Sequence, residues 1–244
     1  LAHLDIAWAW RGTESTRDTP ARNLEAFSLH CKRAQQVLDP FCGIELDSSL
    51  LTSARCALLV GNPNANDRVA DDYEDLIDLA PQQQRHIRAL GHHMLPQWFG
   101  SYGSLELEAR RTASRTQDIW GAGAYTWAFF DARLVDPACA RFLDIPFFLE
   151  GMRDILERSE DQHNANMFAS FAAVSIPNAA KQCGEDLEAI AALKQIQKSA
   201  QWIMSDHLHE LHPLIWGHAI EGFDNQARIA SIDALFKQGR EKAN

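Results

Sequence analysis

Apolar residues recur along this chain at three- and four-residue intervals, and two of these runs close on the same kind of stop. Leu38-Asp39-Pro40 ends one run and Leu79-Ala80-Pro81 ends another about forty residues later. An apolar period of that length buries one face of a helix. Proline removes a backbone donor and clashes with the preceding turn, so the helix must finish there. Each stopped helix follows an earlier apolar-periodic segment, which makes each pair a helical hairpin. Hairpins repeated at roughly constant spacing stack side by side, because one pair alone cannot cover its apolar face.

The first helix is predicted over Ala2 to about Gly12, with Leu4, Ala7 and Trp8 on one stripe, and Thr13–Thr19 as loop. Thr19-Pro20 reads as a cap followed by proline in the first turn, opening a helix with Leu24, Phe27, Cys31, Ala34 and Leu38. Asp47-Ser48-Ser49 caps a helix reaching Gly61, and Asp67 caps another carrying Val69, Tyr73, Leu76 and Ile77. A fifth helix covers Gln82–Leu95. The aromatic, glycine-containing segment Gln97–Ser104 is expected to be a compact loop, with Ser104 capping Leu105–Ile119. Gly121–Val135, dense in small and aromatic residues, reads as a helix buried on most sides. Pro146 is expected to break or kink the helical stretch after Asp136-Pro137. Gln162–Val174 closes on Ile176-Pro177, Asn178–Gly184 is loop, and Glu185–Met204 is one long helix. Leu214–Phe223 and Asn225–Lys242 form the final pair.

No alternating apolar/polar run lies between turn signals, so no strand is predicted. The fold class is all-α: about six antiparallel hairpins beginning near residues 2, 49, 83, 122, 162 and 213. They are expected to stack as an α-solenoid or a compact superhelix. The domain reading is one helical-repeat domain over 1–244, with 1–136 and 137–244 as its two sub-halves.

The formal charge of −10 opposes general binding to nucleic acid or to an anionic membrane, and is compatible with a basic protein or peptide as partner. Five cysteines without a Cys-x-x-Cys pair fit neither a disulfide framework nor a zinc ribbon, which points to a reducing, cytoplasmic setting. No apolar run approaches the roughly 20 residues that span a bilayer. The chain opens at Leu1, already inside a helical pattern, so an upstream segment with a targeting signal is compatible with it.

Val69, Tyr73, Leu76 and Pro81 stand at the spacing of the second helix of a tetratricopeptide repeat, with Leu76 in place of the usual small residue. The hairpins therefore resemble tetratricopeptide-like repeats, and the resemblance implies a superhelix whose first helices line a concave binding face. On that basis Arg55, Arg88, His92, Tyr125 and His218 are candidate ligand contacts, joined by Trp98 in the glycine-flanked loop. Residues 1–135 also resemble an uncharacterised bacterial domain family of unknown function, through Leu95-Pro96-Gln97-Trp98-Phe99-Gly100-Ser101. That resemblance implies a fold and no activity.

Catalytic signals are weak. His207-x-His209-x-x-His212, with Asp206 and Glu210 interleaved, is the densest set of metal-ligand types. Residues 207 and 209 diverge by about 200° on a helix, so convergence there needs an irregular turn. No phosphate loop, nucleophile elbow or His-Glu-x-x-His is present, and no cofactor is called for. The functional expectation is a non-enzymatic module that binds a protein or peptide. The alternatives are an immunity-type protein neutralising a basic toxin and a metal-dependent hydrolase built on the histidine cluster.

Overall fold

The structure is a computed structural model, and it describes residues 2–11, 20–62, 65–159 and 161–221, with 226, 227, 229, 230 and 234 beyond them. The chain is all-α, and no strand occurs among the described residues. It divides into two compact units, Leu1–Glu108 and Ala109–Asn244, the boundary falling inside the helix Tyr102–Arg115. Helices on both sides of residue 136 belong to the second unit. Of the predicted helix Asn225–Lys242 only residues 226, 227, 229, 230 and 234 are described, all of them helical, and the loop Thr13–Thr19 and the side chain of Trp10 lie outside the described residues.

In the first unit, α1 (Ala2–Arg11) packs along α2 (Ala21–Leu38). Phe27, Cys31 and Ala34 recur on one face of α2 and close on Ala7 and Leu58, with Leu4, Trp8, Leu38 and Val60 around them. Helix α3 (Ser49–Leu58) starts where Ser48 accepts the Leu51 N–H. It packs on α4 (Val69–Leu79), and α4 packs on α5 (Gln84–His93). The predicted cap Asp67 is not used: Arg68 stands at the cap position and no side chain bonds the first turn. The tetratricopeptide-spaced residues Val69, Tyr73 and Leu76 are all buried, while Asp71, Asp75 and Asp78 lie on the solvated face. Helix α6 (Tyr102–Arg115) begins earlier than expected, because the cap is Ser101, whose Oγ accepts the Ser104 N–H at 3.1 Å. The same run breaks at Thr116, whose hydroxyl donates to Thr112 O, and resumes as the short α7 (Gln117–Trp120).

The second unit is organised around α8 (Gly123–Val135), in which every residue from Gly123 to Phe130 is buried. It packs on α9 (Ile145–Arg158) at close range. A Cβ on Gly151 would overlap Thr126 Oγ1 and lie 2.5 Å from Ala122 O, so only glycine admits this approach. Thr126 Oγ1 uses the proximity to donate to Phe148 O at 2.8 Å. Pro146 does not break α9. It sits in the first turn, where its missing N–H is not needed, and Asp144 caps that turn through the Phe147 N–H at 3.1 Å.

Two further expectations are corrected beyond this point. The helix α10 (Gln162–Ser170) does not stop at Pro177. A π turn over Phe171–Ser175, with Ile176 N–H bonded to Phe171 O, widens the backbone and carries it into α11 (Ile176–Gln182). The wider register leaves room for the proline ring and needs no N–H from it. The predicted long helix over Glu185–Met204 is instead α12 (Leu187–Gln197) and α13 (Ser199–Asp206). Ser199 is buried, and its hydroxyl donates to Ile196 O at 2.6 Å, diverting a carbonyl from the helical ladder at the junction. Consequently α11 packs on α12, whereas α10 packs on α13 and on α14 (Pro213–Glu221).

Candidate functional site

The first unit contains a cleft of about 690 Å³ between α2, α3, α4 and the 39–45 connection. Arg55, one of the predicted contacts, lies in its wall. Its Nη2 donates to Leu38 O at 2.8 Å and, in a shorter bond, to Phe41 O. A guanidinium there satisfies carbonyls left over at the C-terminus of α2 and favours the negative end of the helix dipole. Arg55 therefore shapes the cleft by holding the end of α2 to the connection. Arg68 is turned onto Asp72 at 3.0 Å, with the cation largely exposed. Asp39, Glu45, Asp72 and Asp75 supply carboxylates to the lining, and Lys32 supplies a further cation.

Beside this cleft the connection and the start of α3 expose large apolar side chains at unusual density. Phe41, Ile44, Leu46 and Leu50 fall within ten residues and are 48%, 53%, 56% and 62% exposed. Ile44 also lines the cleft. Isolated exposed leucines mean little, whereas these four side chains form one dense exposed apolar group next to the cleft. Asp47 in the same connection takes φ +48°, a left-handed conformation that turns the chain back into the Ser48 cap.

His92 and Trp98 are brought together, at 5.6 Å between ring centroids, in an aromatic cluster with Trp8, His93 and Phe99. The loop that carries Trp98 is as compact as its composition predicts. Phe99 N–H bonds His93 O, Trp98 N–H bonds Leu95 O, and a Cβ on Gly100 would run into the Met94 carbonyl. The neighbouring His93 is the buried member. Its Nδ1 lies 2.6 Å from the Tyr73 hydroxyl. Burial pushes the imidazole down to about 4, helped by His92, and holds the Tyr73 phenol well above its ordinary value. Both groups are thus neutral, and the phenol is assigned as donor to an unprotonated Nδ1.

The remaining candidates are dispersed. Arg88 is half-buried on α5, and His218 is exposed on α14 of the second unit. Tyr125 is fully buried, which removes it from any ligand-facing surface. The reason is that α8 is enclosed along its length: Phe129 and Phe147 pack on the Tyr125 ring at 5.1 and 5.0 Å, and its hydroxyl accepts the Asp144 N–H.

The histidine segment does adopt an irregular turn, but for a structural reason that sequence inspection missed. Gln162 donates to His207 O and accepts the N–H groups of His209 and Glu210. Asn166, fully buried, donates to Gln162 O and Glu210 O and accepts from His212 N–H and Trp216 Nε1. One amide thus meets its full hydrogen-bonding capacity. His207 packs edge-on against Trp202, and His209 is exposed. Among the described residues no group of three or more His, Cys, Asp or Glu side chains is placed to hold a metal ion. The sequence signal for the anchors is slight: Gln162 and Asn166 stand one turn apart in α10, but His163 and Asn164 are polar as well.

All five cysteines are free thiols, with Cys31, Cys56 and Cys139 buried. No helix among the described residues is long and apolar enough to cross a membrane. The chain matches no family model, no curated protein and no solved structure. The tetratricopeptide-like reading accordingly rests on the residues of α4 and its Pro81 stop.

Proposed function

We propose that this chain is a non-enzymatic recognition module that binds a protein or peptide segment at its first unit. The observation that carries this is the exposed run Phe41, Ile44, Leu46 and Leu50, of which Ile44 lines the α2–α3–α4 cleft. Apolar side chains of the partner would cover these residues. Basic side chains would meet Asp39, Glu45 and Asp75 in the cleft, in keeping with the net charge of −10. Among the cleft's cations, Arg55 is held by backbone carbonyls and Arg68 by Asp72, which leaves Lys32 against the three carboxylates Asp39, Glu45 and Asp75.

The test is affinity capture from lysate with the wild-type chain and with an Ile44→Asp/Leu46→Asp variant of matched thermal stability. A partner retained by wild type at low salt, weakened at high salt and lost by the variant supports the reading. Equal retention by both chains removes this surface from the function.

A further inference from the structure

Two histidines on packed helices of the first unit meet ring to ring. His3 on α1 and His30 on α2 place their Nδ1 atoms 3.0 Å apart. Their ring centroids are 5.3 Å apart, with the planes tilted by 34°. That centroid separation is the nitrogen separation plus one ring radius at each end, so both Nδ1 vertices lie on the line joining the rings. Their in-plane bonding directions therefore oppose each other head-on. As the chain stands, one ring donates and the other accepts in a single N–H···N bond.

The pair sits on the seam between the two helices. His3 lies one turn before Ala7 and His30 one turn after Phe27, and Ala7 and Phe27 close on each other in one apolar cluster. Packing thus fixes the backbones, while both imidazoles stay half-exposed and within reach of an ion. Among the described residues neither imidazole has another hydrogen bond or ion pair.

Two neutral nitrogens in line are a donor set of a particular kind. Zinc takes four ligands meeting at about 109°, so opposed nitrogens suit it poorly. No further ligand joins these two, since among the described residues no group of three or more His, Cys, Asp or Glu side chains is placed to hold a metal ion. A monovalent d10 ion is satisfied by two donors in line, and imidazole is a donor that copper accepts.

We propose that His3 and His30 form a two-histidine site for copper(I), with the ion taking the place of the bridging proton between the Nδ1 atoms and tying α1 to α2. Metal–nitrogen bonds of roughly 2 Å require the Nδ1 atoms to part to about 4 Å, which rotation of two half-exposed side chains supplies. The ring that donated the bridging proton carries it on Nε2 instead, so the exchange releases no proton. The proposal does not rest on the recognition surface at residues 41–50.

The experiment is anaerobic titration of the whole chain with copper(I), using bicinchoninate as competing indicator. Proton–carbon NMR of the histidine rings and X-ray absorption at the copper edge identify the ligands. Cys42→Ser/Cys183→Ser serves as the background, because it leaves only the buried thiols of Cys31, Cys56 and Cys139. One equivalent of copper is expected to bind, to shift the His3 and His30 ring signals together, and to give a two-coordinate edge with nitrogen neighbours alone. His30→Gln is expected to weaken binding at least about tenfold, whereas His92→Gln leaves it unchanged. Should His30→Gln fail to fold, His3→Gln gives the same reading, and the ring signals and the copper edge need no variant. Sulfur in the copper shell, unmoved His3 and His30 signals, undiminished binding by the His30 or His3 variant, or tighter binding of zinc(II) than of copper(I) at this pair would overturn the proposal.

Discussion

Acidification gives the sharpest test of how the first unit is held together, because His93 is buried in neutral form. Its imidazole titrates at about 4 in the folded chain, against about 6.5 when unfolded. The unfolded chain therefore takes up the proton first as pH falls. Stability is complete above pH 6.5, declines between 6.5 and 4, and loses nothing more from this group below 4. Between pH 7 and pH 4.5 the loss amounts to about 2.5 kcal/mol. Proton uptake by the folded chain would also place a cation against the Tyr73 hydroxyl and the rings of Trp98 and Phe99. Other groups titrate in this range, among them His86, which burial lowers in the same direction. The comparison is therefore with His93→Gln, which keeps a polar partner for Tyr73 and carries no titrating group. Urea unfolding, read from the amide NMR signals of α4 and α5, would be measured for both chains at both pH values. Wild type should lose about 2.5 kcal/mol more than the variant over this interval. A difference below about 1 kcal/mol, or a His93 titration near 6.5 by NMR, would refute the buried neutral assignment.

Three further outcomes follow from packing and hydrogen bonding. Asn166→Ala strips partners from Glu210 O, His212 N–H and Trp216 Nε1 at once, and should cost about 2–4 kcal/mol, with amide exchange in residues 207–216 accelerating ahead of the rest of the unit. Gly151→Ala forces α8 and α9 apart where a Cβ meets Thr126 and Ala122, and should lower second-unit stability by about 1–3 kcal/mol in denaturant unfolding. Arg55→Met keeps the aliphatic stem but frees the carbonyls of Leu38 and Phe41; a loss of about 1–2 kcal/mol, with faster exchange around residues 38–42, is the expected result.

The helices were legible in the sequence wherever period and punctuation agreed. The α2 stripe of Phe27, Cys31 and Ala34, the α4 stripe of Val69, Tyr73 and Leu76, and the enclosure of α8 all follow from spacing and side-chain size. Errors arose where a side chain competes with the backbone or where proline meets an unusual register. Ser199 and Thr116 divide helices through bonds to carbonyls three and four residues back, and the π turn carries the chain past Pro177. Periodicity contains neither effect.

The candidate site was less legible, because residue type and helix order do not fix whether a side chain faces solvent, the core or a neighbouring backbone. Arg55 turned out to hold the end of α2, and Tyr125 to fill the core of the second unit. The apolar group Phe41, Ile44, Leu46 and Leu50 stands in and beside a connection, where an apolar residue carries no periodic signal of its exposure.

Hydrogen exchange of the chain with and without its captured partner reads out whether that partner covers residues 41–50. Slowed exchange in the 39–48 connection and the first turn of α3, with α8 unchanged, is the expected result. Protection confined to other segments, such as α14 or residues 207–212, would contradict it.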